Sequence, residues 1–379
     1  MGMNKMFKKV LAVVVAGAMT MGMAMPTFAT DEGKTTEAWI TKTYNTKVGK
    51  AEKFSFTAEQ VKTGTGIITT DVPVNMPQIS FDDTAIGTTS KRGQITFPTY
   101  TEAGKYEYTV TETQAVDPAV VNGVHEKMIM SGAEYTMDVY VTDGATGTEI
   151  SNIVVNKVKD DAGQQATGKV DISNTDKNGF NFTNTYVQEA GTGTDPVTPG
   201  PDYTKYGSLD VSKTIKTDAA DTADANKEFD FTATFTFPAG TNAATLGAKA
   251  TIDGTVTDIT GTSHKFKLKH NQNVKFTGLP VGTKISVTES ATPNYKGSAD
   301  VVINNGTKET VTAAKYDEAL TVSGKSLGQK KNTVDVTNTY NYVPTTGIIM
   351  NTLPYVLMIA LCGAALMAFV AFKRRRLQK

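Results

Sequence analysis

Phe180-Asn181-Phe182-Thr183-Asn184-Thr185-Tyr186 and Val334-Asp335-Val336-Thr337-Asn338-Thr339-Tyr340 are the two stretches that decide the fold. In each, apolar residues alternate with polar ones, the pattern of a half-buried strand. Both end in the same four residues, Thr-Asn-Thr-Tyr. Similar runs recur at Phe54-Ser55-Phe56-Thr57, at Tyr106 to Val110 and at Tyr135 to Val141. Gly, Asn, Asp and Pro punctuate them, and no long helical periodicity interrupts. Many short strands of this kind predict an all-β chain built as sandwiches or barrels.

Working outward, each terminal stretch closes a set of three motifs. The first set is Ile40-Thr41-Lys42-Thr43, Tyr108-Thr109-Val110-Thr111-Glu112 and Thr183-Asn184-Thr185-Tyr186. The second is Val211-Ser212-Lys213-Thr214, Ile285-Ser286-Val287-Thr288-Glu289 and Thr337-Asn338-Thr339-Tyr340. The order Lys, Glu, Asn is the same in both. Between the sets, residues 188–205 hold Gly191, Gly193, Pro196, Pro199, Gly200 and Pro201 with few apolar residues, which predicts a linker. Two tandem domains follow, residues 30–187 and 206–342, each long enough for its own core.

Side chains alternate between the faces of a strand, and the parity of the six polar residues is unusual. Lys42 shares a face with Ile40 and Tyr44, and Lys213 with Leu209, Val211 and Ile215. Glu112 continues Tyr106, Tyr108 and Val110, and Glu289 continues Ile285 and Val287. Asn184 follows Phe180 and Phe182, and Asn338 follows Val334 and Val336. Any one of them could sit at a strand end and reach water. Six in matching order across two domains point inward, where unpaired polar groups are costly. Chemistry accounts for the three residue types. Burial favours a neutral Lys amine, which is a nucleophile, and a protonated Glu, which can polarise an amide and shuttle protons. Amine and Asn amide held in contact would condense with loss of ammonia to an isopeptide bond.

The two ends of the chain carry addresses. Residues 1–29 have Lys5, Lys8 and Lys9, then an apolar stretch from Val10 to Met25, then Pro26 and Thr27-Phe28-Ala29. That order predicts a cleaved secretory signal peptide. At the other end, Val343-Pro344-Thr345-Thr346-Gly347 precedes residues 348–379, which contain an apolar stretch from Leu353 to Phe372 and a basic tail at Lys373 to Arg376. The stretch is long enough to span a bilayer with the basic tail on the cytoplasmic side. The pentapeptide resembles the Leu-Pro-x-Thr-Gly sorting motif of sortase substrates, with Val in place of Leu. The resemblance implies a cut between Thr346 and Gly347 and transfer of the Thr346 carboxyl to an amine.

Composition narrows the alternatives. Formal net charge is zero, but eight of the 38 Lys and Arg and none of the 38 Asp and Glu lie in the two removable ends. The remaining acidic body argues against nucleic acid as a partner. Arg92 is its one arginine and Cys362 lies in the tail, so the exported part has no disulfide. Three scattered histidines, His125, His264 and His270, predict no metal cluster, and neither a cofactor nor a catalytic triad is expected.

Taken together, these motifs resemble the intramolecular isopeptide domains of Gram-positive pilins, related to the collagen-adhesin B-type fold, and most of all two-domain streptococcal major pilins. The Leu279-Pro280-Val281-Gly282 turn ahead of the Glu289 strand is part of the likeness. The resemblance implies Ig-like β-sandwiches with Lys on the first strand and Asn on the last. The implied bonds are Lys42–Asn184 assisted by Glu112 and Lys213–Asn338 assisted by Glu289. It also implies a pilus acceptor lysine seven residues before the first Asn, which is Lys177, with Lys157, Lys159 and Lys169 as rivals. The expected role is the backbone subunit of a covalent pilus on the cell wall of a Gram-positive bacterium, with a precursor held transiently in the membrane. Expected partners are a pilin-type sortase, further copies head to tail, minor pilins, and peptidoglycan through a housekeeping sortase or basal pilin. A minor or basal pilin, or a wall-anchored adhesin that is attached once, is the alternative. No turnover enzyme is expected beyond the single self-crosslinking event in each domain.

Overall fold

A computed structural model describes residues 34–217, 223–341 and 346–376. The first domain contains β1 (Trp39–Thr46), β2 (Glu52–Gln60), β3 (Ile79–Phe81), β4 (Gly87–Gln94), β5 (Gly104–Asp117), β6 (Glu126–Ile129), β7 (Glu134–Gly144), β8 (Gly147–Lys159), β9 (Gln165–Val170) and β10 (Gly179–Gln188). After α1 (Pro201–Tyr206), the second domain contains β11 (Leu209–Thr217), β12 (Phe229–Thr236), β13 (Lys249–Ile252), β14 (Thr255–Asp258), β15 (Ser263–Leu268), β16 (Asn273–Thr277), β17 (Lys284–Glu289), β18 (Tyr295–Val302), β19 (Glu309–Thr312), β20 (Leu320–Ser326) and β21 (Thr333–Tyr340). Among the described residues the chain is all-β apart from α1 and the C-terminal α2 (Thr346–Arg376).

Each domain is two sheets with a shared interior. In the first, sheet β4-β1-β10-β6 faces sheet β3-β2-β5-β7-β8-β9. In the second, sheet β14-β13-β16-β11-β21-β18-β19 faces sheet β15-β12-β17-β20. Alternation aims the apolar side chains inward, as in β1, where Ile40, Lys42, Tyr44 and Thr46 are buried and the residues between them are only half-buried. Aromatic rings fill the space between the sheets. Phe56 meets Phe182 at 5.1 Å and Tyr135 meets Phe180 edge-on at 5.3 Å, contacts that add to the area they bury. In the second domain Phe231 stacks on Phe266 and Phe235 meets Phe276.

In both domains the first and last strands pair in parallel, β1 with β10 and β11 with β21. Parallel neighbours need a long crossover, and here the whole of the rest of the domain is that crossover. Closing each domain therefore brings residues near its two chain ends side by side.

The segment expected to be a linker, 188–205, is not a plain tether. Gln188 to Thr192 are buried and join the two domains. Val281 N–H donates to Gln188 O, and Ala190 N–H donates to Leu279 O, both at 2.8 Å. Glu189 is 3% exposed. Its carboxylate accepts from Tyr203 and Ser208 hydroxyls at 2.7 Å and from Gly278 N–H, and lies 2.6 Å from His125 Nδ1. Glycine and proline here shape a packed joint, and Tyr203 of α1 is part of it. Residues 1–29 and Val343, Pro344 and Thr345 lie outside the described residues. Thr346 and Gly347 open α2, which is the one helix among the described residues long and apolar enough to cross a membrane, over Tyr355–Arg374.

Candidate functional site

β1 carries Lys42 into the core of the first domain between Ile40 and Tyr44. In the parallel partner β10, Phe182 lies opposite Lys42, and Asn184 lies opposite Tyr44. Asn184 is thus the diagonal neighbour of Lys42 on the inward face, within reach of a long side chain. Glu112 reaches the same point from β5 in the facing sheet. Lys42 Nζ lies 2.5 Å from Glu112 Oε1, with both side chains fully buried, although among the described residues that nitrogen donates no well-angled hydrogen bond. Asn184 Nδ2 donates to the same Oε1 at 3.2 Å. Phe54 forms the floor, its ring centre 4.4 Å from Nζ.

The second domain repeats this arrangement. Lys213 on β11 lies opposite Val336, and Asn338 lies opposite Ile215, the same two-residue offset. Lys213 Nζ donates to Glu289 Oε1 at 2.6 Å, and Asn338 Nδ2 donates to that oxygen at 2.8 Å. Phe229 is the floor, 4.0 Å from Nζ. The structure therefore brings together all six inward-facing residues singled out from parity, three in each core.

Burial moves the amines and the carboxyls toward their neutral forms. Burial is the largest influence on both lysines and lowers their ammonium pKa to about 8, against the opposing pull of Glu112 and Glu289. Burial also raises Glu112 and Glu289, while the neighbouring lysines oppose that shift. Both displacements favour moving a proton from amine to carboxylate, which leaves a neutral nucleophile and a neutral acid. A carboxylate oxygen that touches both nitrogens can receive a proton from one and return it to the other. The Lys nitrogen would bond to Asn Cγ, the Cγ–Nδ2 bond would break, and ammonia would leave with the relayed proton.

The orientation of the amides refines the chemistry expected from sequence. Glu was expected to polarise the Asn carbonyl. In both domains it faces Nδ2, the leaving nitrogen, and sits where it would protonate the leaving group. In the first domain the carbonyl oxygen has a different partner: Ser131 N–H donates to Asn184 Oδ1 at 2.8 Å. In the second domain no group among the described residues donates a hydrogen bond to Asn338 Oδ1. Ser131 was missed because its backbone reaches the site from a loop that no strand pattern marks.

Lys177 is exposed in the turn just before β10, with its Nζ 5.3 Å from the Trp39 ring centre. The turn is well held. Lys177 N–H donates to Ser173 O, Ser173 N–H to Asn178 Oδ1, and Arg92 to Asp176 O. Of the rivals, Lys159 is paired with Glu134 at 2.6 Å, Lys157 lies over the Tyr135 ring, and Lys169 is exposed beside Asp171. Among the described residues no group of three or more His, Cys, Asp or Glu is placed to hold a metal ion.

Residues 38–187 match the family described as Spy0128-like isopeptide containing domain. Residues 207–340 match a domain of unknown function, DUF7601. No curated relative matches the chain. Among solved structures the chain is similar to the major pilin of Streptococcus pyogenes, at 18% identity over 81% of this chain and 99% of that one, with a TM-score of 0.34. It is similar at 19% identity to the T3.2 major pilin of the same species, over 82% and 100% of the two chains, with a TM-score of 0.32. The T-13 major pilin of that species is similar at 19% identity over 82% and 99%, with a TM-score of 0.31.

Proposed function

We propose that this chain is the backbone subunit of a covalently polymerised pilus on a Gram-positive cell, and that each domain seals itself with a Lys–Asn isopeptide bond. The observation that carries the reading is the single glutamate oxygen in contact with both the Lys amine and the Asn amide, built twice at the same strand offset. The match of residues 38–187 to an isopeptide-containing family supports it. The bonds would be Lys42–Asn184 and Lys213–Asn338, each a single autocatalytic event with Glu112 or Glu289 as proton relay. Intact mass of the exported protein should fall short of the sequence mass by two ammonia molecules; a full sequence mass would overturn the crosslinks.

Polymerisation draws support from where the candidate joints lie. β10 runs from the Lys177 turn toward the domain junction, and β21 runs from the junction toward α2. The acceptor candidate and the end of β21, six residues before Thr346 in the chain, thus lie toward opposite ends of the two-domain body. A pilin-type sortase would cut after Thr346 and join it to Lys177 of the next copy. Such a head-to-tail contact does not close on itself and gives a fibre. Signal peptide, sorting pentapeptide and C-terminal apolar helix fit an exported subunit held in the membrane until that cut, then passed to the cell wall through a housekeeping sortase or basal pilin. Immunoblots of wall extracts test this. A high-mass ladder that Lys177→Arg abolishes is expected, whereas one band in the wild type would mark a subunit attached only once.

A further inference from the structure

The first cluster contains a group that the relay described above does not use. Ser131 lies in the loop between β6 and β7, is 1% exposed, and aims its N–H at Asn184 Oδ1. That oxygen gathers negative charge when an amine attacks the amide. The loop is held by Asp161, in the turn after β8. Asp161 Oδ1 accepts from Ser131 Oγ at 2.5 Å and from Thr183 N–H at 2.8 Å, and the Asp161 carbonyl accepts from Gly132 N–H at 2.8 Å. Thr183 adjoins Asn184, so one carboxylate ties the donor's residue to the strand that carries the acceptor. Gln114 Nε2 adds a clamp on the Ser131 carbonyl at 3.0 Å. A side chain at Gly132 would place its Cβ 2.8 Å from Gly163 N, so the loop can lie this close to the Asp161 turn only with glycine there.

We propose that Ser131 N–H is the oxyanion donor for Lys42–Asn184 bond formation, and that Asp161 is the positioning residue that aims it. The proposal rests on the isopeptide reading given above. When the Lys42 nitrogen bonds to Asn184 Cγ, the carbonyl π electrons move onto Oδ1, and the Ser131 N–H stabilises that charge. When Cγ–Nδ2 breaks, the carbonyl reforms and ammonia leaves with the proton relayed by Glu112. A donor already aimed at the developing charge needs no reorganisation, and losing one slows comparable reactions about 100- to 1,000-fold.

Domain-resolved mass spectrometry after cell-free synthesis of the full chain tests the assignment, because the second domain serves as an internal clock. Asp161→Ala should slow the Lys42–Asn184 bond roughly 10- to 100-fold and leave the Lys213–Asn338 bond at its wild-type rate. Asp161→Asn keeps an oxygen acceptor and should restore most of the rate. Ser131→Ala keeps the N–H but loses the tether and should slow the first bond by a smaller factor. In a Lys42→Ala background, where no bond can form, Asp161→Ala should move the Asn184 carboxamide carbon resonance while the surrounding core resonances stay in place. Equal first-domain rates in wild type, Asp161→Ala and Ser131→Ala would overturn the proposal and leave the isopeptide reading intact. Wild-type protein that loses no ammonia from either domain would instead overturn that reading. If Asp161→Ala leaves the first domain unfolded, Ser131→Ala decides.

Discussion

The two domains use the same three residue types at the same strand offset and differ in what borders the amide. In the first, β6 stops pairing with β10 at Ile129, opposite Thr185. The chain then crosses toward β7 and delivers Ser131 N–H to Asn184 Oδ1. In the second, β18 runs along all of β21 and sets Gly297 opposite Asn338. Among the described residues no donor meets Asn338 Oδ1. A Cβ at Gly297 would stand 3.2 Å from that oxygen, 3.2 Å from Glu289 Oε2 and 3.1 Å from Leu320 Cβ. The shared part is what condensation requires: amine, amide and relay. The part that differs is the neighbouring strand, which leaves one carbonyl held and the other free. The proposed chemistry would therefore persist while the sheet around it is rearranged.

The largest effect that could break the comparison comes from removing the relay. Glu112→Ala should retain the mass of one ammonia and destabilise only the first domain, and Glu289→Ala should do the same for the second. Loss of closure of a loop this long costs about 5 kcal/mol on the disulfide analogy. Intact mass and calorimetry read both, and loss of both bonds in either variant would show that the domains are not independent.

Next is a buried carboxyl whose counterpart position in the second domain carries no acid. Glu52 is 1% exposed, neither carboxylate oxygen has a hydrogen-bond partner among the described residues, and burial pushes its pKa up to about 7. The matching position before Phe229 in the second domain is the exposed Lys227. A carboxyl raised on folding holds more protons folded than unfolded. Its stabilising share is full below the ordinary carboxylate pKa, falls as pH rises toward 7 and is gone above it. Glu52→Gln should therefore flatten the pH dependence of the first domain's thermal midpoint and stabilise it at pH 8 by about 3 kcal/mol. An unchanged profile would show that Glu52 gains solvent or a partner in solution.

Gly297→Ala should slow only the second crosslink, by several-fold, through crowding of Asn338 and Glu289; peptide-level mass spectrometry reads this against the first bond as reference. The smallest effects belong to the exposed ion pairs, Lys53–Asp117 in the first domain and Lys308–Asp300 in the second. Lys53→Ala and Lys308→Ala should leave both midpoints and both crosslink rates unchanged, since water screens such pairs.

Much of the site was legible because strand parity is a local property. Lys42 lies two residues from Ile40 and from Tyr44, and no tertiary information is needed to place it with them. The same rule marks Glu52, two residues before Phe54, as inward-facing, so that buried carboxylate was within reach of the sequence although no repeat drew attention to it. Ser131 and Asp161 were not legible. Their positions depend on where β6 leaves its sheet and how the turn after β8 packs, and neither leaves a periodic trace. The packing of the stretch after Gln188 was not legible for a similar reason. Glycine and proline mark irregular backbone, and irregular backbone packs well when a side chain such as Glu189 finds partners on both domains.

The parallel pairing of first and last strands has a mechanical consequence. Suppose the fibre is pulled through Lys177 and Thr346. The loaded thread then enters just upstream of β10, follows it through the junction into β11 and reaches Lys213. There it can step across the bond to Asn338 and leave along the end of β21. Residues 214–337 hang beside that line, and without the bond they could pay out on the order of 400 Å of slack. The Lys42–Asn184 bond lies off the line, because the thread passes Asn184 without turning into β1. One crosslink would be a link in the cable and the other a clasp that keeps β1 sealed beside it. A pulled fibre should therefore lengthen when Glu289 is lost and keep its length when Glu112 is.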